Sequence, residues 1–108
     1  MYEEHVSPDG KLHFFLQEAD GDIILGFHGY GWHTHGDLLE SMYAGGPSKA
    51  AAQFAADLIS GKLTVAVYSV SGKTRDIRVS TDPAADLRYC EPDEIIAFRL
   101  WDGTEVVV

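Results

Sequence analysis

The chain has 108 residues, 45% of them hydrophobic and 23% charged, a composition that fits one domain with one core and excludes a disordered or low-complexity segment. Seventeen acidic residues against eight basic ones give a formal net charge of −9, which repels phosphate backbones and anionic lipid. Nucleic acid and membrane surfaces are thereby excluded as partners, and a basic protein or a metal cation is favoured.

The opening MYEEHVSPDG lacks the basic and apolar regions of a signal peptide, and no apolar run approaches the roughly 20 residues that span a bilayer, so a cytoplasmic protein is expected. The single cysteine, Cys90, rules out an intrachain disulfide. SPDGK at 7–11 is a turn, with Pro8 presetting one backbone angle and Gly10 tolerating the left-handed one. Leu12, Phe14 and Leu16 then share one face of a strand over 11–18. EADGD turns the chain, and IILGFH at 23–28 returns antiparallel with Ile23, Leu25 and Phe27 on one side.

HGYGWHTHGD at 28–37 follows, holding three of the five histidines. An extended 32–35 puts His33 and His35 on one face about 7 Å apart, where two imidazoles can converge on one ion. Zinc takes such nitrogens, with Asp37, Glu40 or His28 completing the set. The candidate metal ligands are therefore His33, His35, Asp37 and His28. Asp37 also stands three places before Glu40, the spacing of a capping pair at the start of a short helical turn over 37–43. Tyr30 and Trp32, large rings among Gly29, Gly31 and Gly36, are candidate anchors for a protein partner together with His33 and His35; the alternative for Trp32 is that it closes the open end of the core.

GGPSKAAAQFAADLISGK at 45–62 is the main helix. Pro47 suits its first turn and Gly61 the left-handed position after its last, while Ala51, Phe54, Ala55 and Leu58 form the buried stripe. KLTVAVYSV, the turn SGK and TRDIRVS make a hairpin whose second strand buries Ile77 and Val79 and shows Arg75, Asp76 and Arg78 outward. TDPAADLRYCEPDE is a connection with a helical turn at 82–86 and a short strand around 87–90. EIIAFRLW, a two-residue DG turn and TEVVV form a last hairpin. TEVVV either completes the sheet or pairs across a dimer, so a monomer or small homo-oligomer is expected. The whole of 1–108 is thus expected to be a single α+β domain, an antiparallel β-sheet of six to seven strands packed on one main helix in the order β-β-β-α-β-β-β-β.

HTHGD matches the His-x-His-x-Asp core of the metallo-β-lactamase superfamily over five residues, His33, His35 and Asp37 among them. Leu38 stands where that family has another histidine, no histidine follows His35, and the chain is far shorter than that fold, so the match assigns no family. In size, acidity and layout the chain resembles small bacterial immunity proteins, without a signature motif. That resemblance implies a non-enzymatic module that neutralises a basic toxin by binding it, with no cofactor. The alternative from the residues themselves is a zinc-binding protein or metal-dependent hydrolase built on the cluster from His28 to Asp37.

Overall fold

The computed structural model describes residues 2–108. Four strands precede the main helix: β1 (Tyr2–Val6), β2 (His13–Ala19), β3 (Asp22–Phe27) and β4 (His33–His35). A 3₁₀ turn (Leu38–Ser41) leads to α1 (Pro47–Ile59), and then come β5 (Thr64–Val70), β6 (Lys73–Ser80), α2 (Pro83–Arg88) and β7 (Glu94–Arg99). The class is α+β with seven strands around one main helix. The strands divide four before the helix and three after, the reverse of the expected split, and neither 87–90 nor TEVVV forms a strand.

They also form two antiparallel sheets, β1-β2-β3-β4 and β6-β5-β7, in place of one. Side chains bridge them. Asp76 Oδ1 of β6 accepts from the Trp32 backbone N–H at 3.4 Å, and Arg99 of β7 donates to Asp9 Oδ2 at 2.7 Å and to the Trp101 carbonyl at 2.9 Å. Arg99 thus ties the last strand to the first turn.

Alternation sets which side of each strand is buried. Leu12, Phe14 and Leu16 on one side of the first hairpin, and Ile23, Leu25 and Phe27 on its return, are all buried, as their period-two spacing requires. The two rows meet because Asp20 (φ 53°) and Gly21 (φ 78°) both adopt the left-handed conformation, which makes a tight turn whose twist matches the flanking strands. Ser71 (φ 52°) and Gly72 (φ 79°) do the same between β5 and β6.

The segment around Asp102 differs. Its expected DG turn fails because Asp102 is not left-handed; its carboxylate instead accepts from the backbone N–H and the hydroxyl of Thr104, at 2.9 and 2.7 Å. The chain still turns back as a hairpin, with the Leu100 N–H donating to Thr104 O at 2.8 Å and the Val106 N–H to Phe98 O at 2.9 Å around an Arg99–Glu105 bridge, but TEVVV forms no strand. At 82–90 helix wins over strand. Asp82 caps α2 by accepting from the Ala85 N–H at 3.2 Å, and Pro83 starts the helix where a missing N–H costs nothing.

α1 buries Ala50, Ala51, Phe54, Ala55 and Leu58 against the four-stranded sheet and β5. Past its end the Gly61 N–H bonds to Leu58 O (3.2 Å) and the Lys62 N–H to Asp57 O (2.9 Å), the paired closure that a left-handed glycine permits. At its start Gly36 is buried, and a Cβ there would lie 2.9 Å from the Pro47 carbonyl oxygen. The helix therefore begins directly against the end of β4. Phe14 is the centre of the core, 5.2 Å from Phe27 edge-on and 6.2 Å from Phe54. β5 is buried on both faces: Val65 joins this core, while Ala66 and Tyr68 join a smaller cluster with Phe98.

Candidate functional site

The histidine-rich stretch splits according to which side of the backbone each residue occupies. After β3 the chain turns at Gly29 (φ 87°), where the Tyr30 N–H donates to Phe27 O at 3.2 Å. Tyr30 and Trp32 are half-buried and pack on the main core, with the Trp32 ring 6.1 Å from Phe27. Trp32 also borders a cavity of about 270 Å³ beside Leu39, Phe54 and Val79. Of the two roles open to Trp32, this position fits closure of the core.

β4 then alternates. Thr34 turns inward opposite Leu25, and His33 and His35 turn outward opposite Gly26 and Ile24. Their rings lie 5.1 Å apart, edge to face at 73°, so the two imidazoles do share a face. His33 Nδ1 lies 3.1 Å from the Gly31 carbonyl oxygen, and since a carbonyl only accepts, the proton of that contact sits on His33. His35 Nδ1 lies 2.9 Å from Asp22 Oδ2.

Asp22, His35 and Asp37 each offer a ligand atom within 4.8 Å of the other two. This group overlaps in part the expected metal set of His33, His35, Asp37 and His28. Only His35 and Asp37 belong to the group; His33 is turned to Gly31, and His28 is exposed past the end of β3, where its backbone N–H bonds to His13 O at 2.8 Å. The carboxylate of Asp22, at the turn into β3, takes their place. Sequence spacing hid it because Asp22 and His35 meet diagonally: His35 pairs with Ile24, and Asp22 is two residues further along the same face. The expected capping by Asp37 is corrected. Asp37 opens the 3₁₀ turn with helical angles, φ −67° and ψ −34°, and its side chain bonds no backbone N–H, so the carboxylate is free to face His35.

The outward face that carries the histidines continues across the sheet. Register places Tyr2, Gln17, Ile24 and His35 in one row, and Glu4, Phe15, Gly26 and His33 in the next. Tyr2 stacks on Phe15, with centroids 6.3 Å apart and planes within 10°. Gly26 is required between Phe15 and His33, because a Cβ there would meet the Trp32 carbonyl oxygen at 2.9 Å and Phe15 Cε1 at 3.3 Å. Tyr2 is 53% and Val6 52% exposed, Phe15, Ile24 and His35 are half-buried, and α1 packs on the opposite side of the sheet. Phe15 and Ile24 escaped the sequence reading because alternation marks them merely as the side that is not core.

No family model, curated protein or solved structure matches this chain. Function therefore rests on the chemistry of these surfaces.

Proposed function

We propose that this protein is a small acidic binding module for another protein, of the kind that inhibits a basic toxin as immunity proteins do, and that it uses the outer face of the four-stranded sheet. The observation that carries this is the group of Tyr2, Phe15 and Ile24, spread over two adjacent cross-strand rows that end at His35 and His33, on a sheet face that no helix covers among the described residues. Aromatic and aliphatic side chains held on rigid strands bury large area at little entropic cost, which suits them to the centre of an interface. Glu4 and Asp22 at its margins, with the net charge of −9, would steer a basic partner onto it. His33 and His35 stay in the contact set; Tyr30 and Trp32 act from beneath, by fixing the loop that sets β4.

The test is titration calorimetry against basic toxin domains, at low and moderate salt. Affinity should fall as salt rises, and Phe15→Thr with Ile24→Thr, which keep strand propensity, should weaken binding by roughly tenfold or more. Salt-independent binding, or binding indifferent to both substitutions, would overturn the proposal.

A second reading rests on the convergence of Asp22, His35 and Asp37. One imidazole and two carboxylates are a donor set that zinc accepts, and three protein donors leave a tetrahedral position for water. Zinc should then raise the melting temperature of the wild type but not of His35→Ala. Equal response of the two proteins would reject this reading.

A further inference from the structure

The face of β5 that turns away from the main core carries a second site. α2 lies over it and leaves a cleft of about 350 Å³, within the size range of small-ligand sites, roughly 300–1,000 Å³. Tyr68 forms its floor at 6% exposure, and its hydroxyl has no hydrogen-bond partner among the described residues. No side-chain oxygen in those residues is both fully buried and unpaired, so this hydroxyl opens onto the cleft that Tyr68 lines. A tyrosine this deep normally finds a partner.

The walls are acidic. Asp86 accepts from the Ser80 hydroxyl through one oxygen, and Glu94 accepts from the Glu91 backbone N–H at 2.8 Å through one oxygen, which leaves each carboxylate a second acceptor; Glu91 adds a third acid. The cation lining the cleft, Arg78, is already engaged. Its Nε donates to Asp76 at 2.7 Å and its guanidinium lies 4.4 Å over the Tyr68 ring. Asp86, Glu91 and Glu94 therefore leave the cleft negative. Burial, helped by Asp86 and Glu94, pushes the Tyr68 pKa up, so the hydroxyl stays neutral and keeps its lone pairs for a donor. Among the described residues only Asp22, His35 and Asp37 bring three His, Cys, Asp or Glu ligand atoms within 4.8 Å of one another, so the carboxylates of this cleft form no three-donor metal set. They suit a larger cation that carries several N–H groups.

We infer that the cleft between α2 and the three-stranded sheet receives an ammonium or guanidinium group on an alkyl chain, held by the Asp86 and Glu94 carboxylates and the Tyr68 hydroxyl. Such a group comes from a lysine or arginine side chain of a protein or from a free amine. The inference does not depend on the sheet face proposed above as a binding surface.

Cys90 lines the same cleft and is the single cysteine of the chain, so its rate of alkylation by uncharged iodoacetamide reports occupancy. N-acetyl-lysine methylamide and agmatine should each slow alkylation of the wild type, and the lysine amide acetylated on its side chain should not. Glu94→Gln and Tyr68→Phe, with melting temperatures checked against the wild type, should each weaken protection by about threefold to tenfold. Should Glu94→Gln unfold, Asp86→Asn, at the other carboxylate of the site, carries the same comparison. Protection by a lysine-rich peptide at lower concentration than by the free amines would assign the cation to a protein, and the reverse order to a small amine; either upholds the chemistry. Absence of protection by every cation, equal protection by the acetylated amide, or protection unchanged in both variants would overturn the inference. Intact protection together with failure of the Phe15 and Ile24 titration would reject the sheet-face reading alone.

Discussion

Replacing Gly36 by alanine tests the claim that the main helix begins directly against the candidate site. Two opposing effects set the result. Alanine restricts the unfolded chain more than glycine does, which by itself would stabilise the protein by about 0.4–1 kcal/mol. In the folded protein the added methyl would lie 2.9 Å from the Pro47 carbonyl oxygen, 3.2 Å from Pro47 Cβ and 3.3 Å from Ile23 Cβ. Two of these neighbours are the first residue of α1 and the third is the second residue of β3, so none can swing aside as a flexible side-chain tip would. Overpacking of this kind costs about 1–3 kcal/mol. The clash therefore wins, with a net loss of about 1–2 kcal/mol, or roughly 5–15 °C in Tm for a domain of this size. Gly31→Ala, five residues earlier, is the matched control. It has nothing within 4 Å of the added methyl and does not adopt a left-handed backbone, so only the unfolded-state effect remains and stability should rise slightly. Urea unfolding followed by tryptophan fluorescence reads both variants. If Gly36→Ala matched the wild type, or if Gly31→Ala lost as much as Gly36→Ala, the packing of α1 on the end of β4 would be refuted.

Phe14→Ala should cost about 3–5 kcal/mol, because the ring is fully buried between Phe27 and Phe54, and Phe14→Leu should cost markedly less; denaturant midpoints give both. Tyr43 donates to Asp57 at 2.7 Å, and its pKa is pushed up to about 12 by burial first and by that carboxylate second. Its folded value lies above the unfolded one, so this contribution is whole below pH 10 and fades as pH rises toward 12; Tyr43→Phe should lack that part of the alkaline loss in a pH series of melting curves. Hydrogen bonds from Arg99 and Ser7 hold the Asp9 carboxyl well below the usual carboxylate range. A depressed folded value gives stability present above the unfolded value and lost as pH falls through the folded one. Arg99→Gln should therefore be less stable than the wild type at neutral pH, and the gap should narrow in acid; a gap that stays constant would contradict the pairing.

The inward faces were legible from short-range pattern alone. Leu12, Phe14 and Leu16, Ile23, Leu25 and Phe27, Ile77 and Val79, and the stripe Ala51, Phe54, Ala55 and Leu58 are buried as their periods of two and 3.6 demand. The ends of α1 were equally legible, since Pro47 and Gly61 act through their own backbone angles. The same local rules separate His33 and His35 from Thr34 and place the two imidazoles on one face.

What failed was each feature decided by a partner distant in the chain or by competition between two local options. Asp102 could turn a two-residue hairpin or bind Thr104 through its carboxylate, and DG spells both; it does the second, and TEVVV keeps a short antiparallel pairing with residues 98–100 but forms no strand. Asp82 and Pro83 start a helix that carries residues 87 and 88 with it, against the expected strand. Asp22 meets His35 through the register of two hairpins, and Asp37 turns its carboxylate from the expected cap toward them. Tyr68 reads in sequence as one more apolar strand residue, and only the tertiary structure brings it into one cleft with Asp86 of α2, Glu91 and Glu94. Side-chain period and turn chemistry depend on a few neighbouring residues, so the sequence by itself determines which residues are core. Which polar groups meet depends on where separate elements come to rest, and that is decided by the burial and register of the whole chain.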